Sequence, residues 1–192
     1  MRCRHVRRSG LYHRVCDPEW KDCTDTSFSK ETGGRWNEAG RFGVLYLCRD
    51  LAVAAANARK NFDGEIHSVY DLKPEFRPVV VDFSLGRSPG RRFVDAVSAS
   101  GLEQLGLPAS YPLTKSGAVV KRARCRPIGF AAFEAGEAGI ACRSAAEASE
   151  GTCVGEELAL FDRASEFAAP GKRHAFGDWY PRAAATKQQN LS

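Results

Sequence analysis

The stretch GGRWNEAGRFGVLYL occupies residues 33–47, and CRDLAVAAANARKNF follows it directly as residues 48–62. Gly33-Gly34 supplies a sterically open turn that delivers Arg35 and Trp36. Val44-Leu45-Tyr46-Leu47 reads as a short apolar strand. Asp50 has the chemistry of an N-cap, so a helix is predicted from Leu51 to about Phe62, ended by Asp63-Gly64. Leu51, Ala55, Ala58 and Phe62 share one stripe of that helix, the expected core face. Asn57 lies about 100° from Ala58 around the axis and borders the stripe. The small side chains of Ala52, Ala54, Ala55 and Ala56 let another backbone or a ligand come close.

Working outward, LYHRVC at residues 11–16 alternates as a strand does, and DPEW stops it. Residues 21–32 are polar and read as a loop. Ile66 to Leu72 and Val79 to Phe83 read as two strands separated by the KPEFRP turn. Gly90 to Gly106 reads mainly as helix, with Phe93, Val97, Leu102 and Leu105 inward, and a further helix is predicted over Arg126 to Ala135. Gly139 to Ser144 and Glu157 to Phe161 add two strands around a loop. Short strands and about three helices without a regular βαβ repeat predict an α+β fold, a single compact domain with a mixed short-stranded sheet. The expected organisation is a basic N-terminal extension over 1–10, the domain over 11–182 and a flexible tail over 183–192. Neither GxGxxG nor GxxxxGK[ST] occurs, so no dinucleotide fingerprint or P-loop is indicated.

Composition narrows the function. A chain of 192 residues, 43% hydrophobic and 27% charged, can bury a full core without staples. No apolar run approaches the length of a membrane span, and MRCRHVRRSG lacks the apolar centre of a secretory signal, so a cytoplasmic location is expected. The cysteines number 7, with no CxxC pair and no spacing suited to a metal, which predicts reduced thiols used as small apolar fillers. The net charge of +5 is scattered over small clusters and accompanies no recognised nucleic-acid motif, so direct nucleic-acid binding is not expected.

Arg14 near the end of the first strand and Arg35 after the glycine pair can act as two guanidinium forks on a diphosphate. Tyr46 is either a core tyrosine with a satisfied hydroxyl or a ring that packs on a base or sugar. Ser144 closes the strand GIACRS where a loop begins, a place where polar residues often face a site.

Taken in order, GGRWN, VLYL, the alanine-rich helix, AGIACRS and GEELALF resemble the RES-domain family, named for Arg, Glu and Ser positions, over roughly Leu11 to Asp162. The resemblance implies a fold similar to ADP-ribosyltransferase toxins. It implies a toxin that consumes NAD, by phosphorolysis or hydrolysis at the nicotinamide ribose or by ADP-ribosyl transfer to a protein. NAD would be a substrate, not a permanently bound cofactor, with inorganic phosphate as co-substrate in the phosphorolytic case and no metal. An Xre-like antitoxin is the implied partner, and homo-oligomerisation stays open. Carried onto this chain, Arg14 and Arg35 would grip the diphosphate, Tyr46 would orient the nicotinamide riboside, and Ser144 would act near the scissile bond.

The family's glutamate falls on Asn57. A carboxylate there stabilises an oxocarbenium-like ribosyl centre, whereas an amide can hydrogen-bond a hydroxyl but carries no charge and is no base. Loss of one such preorganised group typically costs about 10²- to 10³-fold in rate. Asp50 lies on the same helical face but about 10 Å away along the axis, and Glu65, Glu156 and Glu157 remain open as substitutes. Two further readings stand beside the enzyme: a catalytically impaired nucleotide-binding module, and a basic nucleic-acid-binding protein whose association would be strongly salt-dependent.

Overall fold

Short runs of alternating apolar residues become strands, and a computed structural model describes them over residues 3–60, 68–86, 92–149 and 155–180. Those residues contain β1 (His5–Val6), β2 (Gly10–Cys16), β3 (Val44–Cys48), β4 (Val79–Leu85), β5 (Phe93–Ala96), β6 (Gly139–Arg143), β7 (Glu156–Phe161) and β8 (Ala168–His174). The helices are α1 (Ser27–Thr32), α2 (Leu51–Lys60), α3 (Ala99–Gln104), α4 (Arg122–Glu134) and α5 (Ala145–Ser149). One mixed sheet runs β1-β5-β6-β7-β3-β2-β4-β8, antiparallel except between β5 and β6. This is the α+β domain with a mixed sheet that the sequence predicts. Among the described residues no helix is long and apolar enough to cross a membrane.

The sheet is nearly divided in the middle. β2 pairs with β4 along seven residues, yet meets β3 only at His13↔Cys48. Leu45 and Leu47 of β3, Leu158 and Leu160 of β7, and Ala141 of β6 share a core with Tyr12, Val81 and Phe83 of the other half. On the opposite face of β3, β6 and β7 a second core holds Trp36, Val44, Ile140, Cys142, Ala159 and Phe161 against α4. A third lies under α2, where Val53, Ala54, Ala55 and Ala58 pack with Val80, Trp179 and Tyr180. β3, β6 and β7 thus send alternate side chains to opposite faces of the sheet, as a period of two requires.

Asp50 caps α2 as expected, its Oδ1 accepting from the Val53 amide at 3.0 Å. Burial on α2 is broader than the predicted stripe: Val53, Ala54 and Ala56 are buried with Ala55 and Ala58, while Leu51 is only partly so. Phe62, Asp63 and Gly64 lie outside the described residues.

Four expectations need correction. The loop assigned to 21–32 contains α1, which Gly33 closes by donating to the Ser29 carbonyl. The strand expected over Ile66 to Leu72 is, in its described part, a turn in which Asp71 Oδ2 accepts from the amide and hydroxyl of Ser68. The helix expected over Gly90 to Gly106 is, in its described part, α3 alone, because Phe93–Ala96 pairs between β1 and β6 and is buried. Ser98 then caps α3 by accepting from Gly101. Finally, α4 starts at Arg122, ahead of Pro127, which sits inside it. A proline removes one backbone donor, and the burial of Cys125 and Ala132 holds the helix across it. The basic N-terminal stretch also contributes to the sheet, through His5–Val6 against β5.

Candidate active site

A cleft of about 430 Å³ opens where β2 and β3 part, lined by residues of β2, β3, α2 and the 28–35 segment. Such a volume suits a small-molecule site. Arg14, Arg35, Lys60 and Arg122 line it, with Trp20, Phe28, Tyr46, Asn57 and a single acid, Glu157. Four of the five residues singled out from sequence therefore meet here, and Ser144 stands just behind the wall.

The glycine pair works by conformation and by space. Gly33 has φ of +73°, the left-handed region that favours glycine. At Gly34 a Cβ would fall on the Tyr46 hydroxyl and lie 2.7 Å from Asn37 Oδ1. That hydroxyl accepts from the Trp36 amide at 3.1 Å and donates to Asn37 Oδ1 at 3.1 Å. Asn37 is fully buried and its amide group donates to the Ser29 and Phe42 carbonyls. Tyr46 thus ties the arginine-bearing loop to β3, and burial pushes its phenol pKa up.

Arg35 leaves this loop to donate to the Val120 carbonyl at 2.8 Å. Burial works against its charge, but Tyr111, Cys125 and Cys142 more than offset this and the net pKa shift is upward. Arg14 is almost fully buried. Its guanidinium donates to the Cys23 and Asp25 carbonyls and lies 5.2 Å from the centre of the Trp20 ring. Burial, its largest influence, lowers its pKa. Both arginines line the cleft, but each also clamps backbone.

Register places the acid. Glu157 pairs with Cys48 on one side and Cys142 on the other, so its side chain shares a sheet face with theirs and with Tyr46. Glu156 faces the opposite way and takes a two-pronged ion pair from Arg8 at 2.5 and 2.6 Å. Glu157 Oε1 accepts from Asn57 Nδ2 at 3.0 Å and from Ser144 Oγ at 2.7 Å. Asn57 Nδ2 also donates to the Val53 carbonyl of its own helix at 3.1 Å. Ser144 is fully buried, and its hydroxyl also accepts from the Glu147 amide at 3.3 Å. Asn57 and Ser144 thus converge on Glu157, a carboxylate whose strand was legible in sequence but whose direction was not. Leu158 and Leu160 against Ala159 and Phe161 carried the parity, without telling which face met a cleft.

The other acids considered in its place stand apart: Asp50 is spent as the α2 cap, Glu156 is paired with Arg8, and Glu65 lies outside the described residues. His13 is engaged with Asp82 at 3.0 Å, away from the cleft lining, and His67 is also outside the described residues. Cys3, Cys16, Cys23, Cys48, Cys125 and Cys142 are free thiols. Spacing rules did not anticipate that Cys3, His5 and Glu137 bring ligand-type atoms within 4.8 Å of one another. His5 and Glu137 there form a hydrogen-bonded pair at 2.7 Å.

A split mixed sheet carrying a basic cleft around one carboxylate makes this an α+β domain whose cleft has the size of a small-molecule pocket. The chain belongs to the RES-domain family: the family's sequence profile, described as RES domain, matches residues 11–178. Its fold is similar to that of MbcT in the crystal structure of the M. tuberculosis MbcT–MbcA toxin–antitoxin complex, with a TM-score of 0.68 and 14% identity, covering 88% of this chain and 85% of that one. No curated protein matches the sequence.

Proposed function

We propose that this chain is a RES-type toxin that binds NAD in the cleft between β2 and β3 and cleaves its nicotinamide–ribose bond. The observation that carries the reading is the charge pattern of the cleft, four basic side chains around one acid. NAD has the complementary pattern: an anionic diphosphate beside a cationic nicotinamide riboside. Guanidinium groups suit the diphosphate by their planar fork, and Trp20 and Phe28 offer ring faces for a base. Phe28 is 63% exposed on the cleft wall, so its ring is accessible to a ligand there.

In this reaction the C1′–N bond breaks and its electron pair neutralises the pyridinium as nicotinamide leaves. The ribosyl C1′, left with cationic character, takes an oxygen from inorganic phosphate or from water, the latter releasing a proton. The reaction would deplete NAD in the cytoplasm, and an Xre-like antitoxin would restrain it. The likeness to a toxin that forms a complex with an antitoxin supports that partner.

The test is nicotinamide release from NAD by the purified protein, with and without inorganic phosphate, beside Arg122→Ala. Arg122 is exposed at the start of α4 and lines the cleft, so its removal leaves the core intact. Release, with a raised KM for NAD in the variant, supports the reading. Acceleration by phosphate marks a phosphorylase, and label passing from NAD to protein marks an ADP-ribosyltransferase. Absence of both release and label transfer overturns it.

A further inference from the structure

We infer that Glu157 supplies the carboxylate that stabilises the ribosyl cation in this chain, and that Asn57 and Ser144 are positioning residues that hold it. The inference rests on the NAD reading above and assigns the charge that Asn57 does not provide.

Three observations converge. First, Glu157 is the only acid among the described residues lining the cleft. Second, its hydrogen bonds all fall on one oxygen: Oε1 accepts from Asn57 and Ser144, while Oε2 accepts from no described residue. A carboxylate held on one oxygen keeps a fixed direction with its second oxygen available. Third, the partners are neutral and no described cation forms an ion pair with it, although its neighbour Glu156 is doubly bonded to Arg8. A partly buried anion without a cation partner is poised for positive charge that arrives with a ligand. The thiols of Cys48 and Cys142 flank it across the ladder and offer no counter-charge.

Asn57 thereby acquires a reason. Its Nδ2 already reaches Glu157 Oε1 at 3.0 Å, so a glutamate at position 57 would set two carboxylates against each other. An amide at 57 donates where a second carboxylate would repel. In this arrangement the acid stands on β7 and the amide on α2, so the charge reaches the same cleft from the other wall. During cleavage the Glu157 charge faces C1′ as the electron pair leaves with nicotinamide, and it forms no bond itself.

The experiment compares wild type, Glu157→Gln, Asn57→Glu and the double variant Asn57→Glu/Glu157→Gln, measuring kcat and KM for nicotinamide release, with a thermal melt for each. The expected result is a fall in kcat of about 10²- to 10³-fold for Glu157→Gln with KM changed little. The double variant should recover at least tenfold of that loss, since it returns one carboxylate to the cleft from the other side. Asn57→Glu alone should not raise kcat, because it sets two carboxylates against each other. A gain there as large as in the double variant would mean that position 57 acts without Glu157, and overturns the assignment. Wild-type kcat in a folded Glu157→Gln, or a double variant no more active than Glu157→Gln, overturns the assignment while leaving the NAD reading intact. If Glu157→Gln does not fold, the two remaining variants decide. A double variant within tenfold of wild type beside an Asn57→Glu that gains nothing supports the assignment. An Asn57→Glu more active than wild type, or a double variant reduced a thousandfold or more, overturns it. A wild-type protein inert on NAD removes both together.

Discussion

The hydroxyl of Tyr46 lies 3.1 Å from the backbone nitrogen of Trp36 and accepts its hydrogen bond, so the strand residue holds the loop that precedes it. The same oxygen donates to Asn37 Oδ1. Tyr46→Phe removes both bonds and leaves a buried amide oxygen and a backbone N–H without their partner. The expected loss is about 1–3 kcal/mol of stability, read as a lower urea midpoint with unchanged slope. Arg35 hangs from this loop, so KM for NAD should rise as well. Unchanged stability would mean that water replaces the hydroxyl.

Gly34→Ala tests the same contact from the other side. Its Cβ would fall on the Tyr46 hydroxyl and beside Asn37 Oδ1, so the loop must move or Tyr46 must turn. Overpacking of this kind typically costs about 1–3 kcal/mol. Part of that strain disappears when the hydroxyl is absent, so Gly34→Ala and Tyr46→Phe should be sub-additive in a double-mutant cycle. Strict additivity would count against the close approach.

Arg14 spans the Cys23 and Asp25 carbonyls with one planar group. Lysine keeps the charge but loses the fork, so Arg14→Lys should free part of the segment between β2 and α1. Faster amide hydrogen exchange within residues 21–26 and a stability loss of about 1.5–3 kcal/mol are expected. Exchange unchanged there would leave Arg14 with the ligand role alone.

The site was legible in sequence to the extent that its determinants are local. Asp50 caps α2 because a short carboxylate can reach an amide three residues on, and Val44–Cys48 pairs because its residues alternate between two cores. Phe93–Ala96 is ambiguous in sequence because a short apolar run suits a buried strand as well as a helix. The Ser98 cap that follows it was the available signal for a break. β8 carries little strand signal in sequence, because Pro170 and Gly171 argue against a strand, yet it is an edge strand, where proline is tolerated. The convergence of Asn57 and Ser144 on Glu157 was hidden for a different reason. It joins three elements that only the β6-β7-β3 order brings together.

Acid stability should depend on Asp95. Burial alone would raise its carboxyl pKa, but donors from the Ser98 side chain, the Ser98 and Val97 amides and the nearby Arg4 outweigh this and hold it below the ordinary range. A folded value below the unfolded one gives stability that is present above the unfolded pKa of about 3.9 and lost as pH falls through the folded value. Asp95→Asn should lower the urea midpoint at neutral pH and flatten its decline between about pH 5 and about pH 2. A variant with the same acid slope as wild type would assign that slope to other carboxylates.

Cys48 lines the cleft and sits across the ladder from Glu157, which raises the question of a thiolate nucleophile. Burial, with the Glu157 charge adding to it, pushes the thiols of Cys48 and Cys142 well above their usual range. Because the thiolate is the reactive form, neither should be nucleophilic near neutral pH. Native protein treated with iodoacetamide at about pH 8 should therefore carry no label on Cys48 or Cys142, and both should label once urea unfolds the chain. Nicotinamide release should survive the native treatment in full. Peptide mass spectrometry reads the sites directly. Rapid labelling of native Cys48 would mean that its thiol is accessible and ionised near neutral pH, against the burial and the Glu157 charge that hold it protonated.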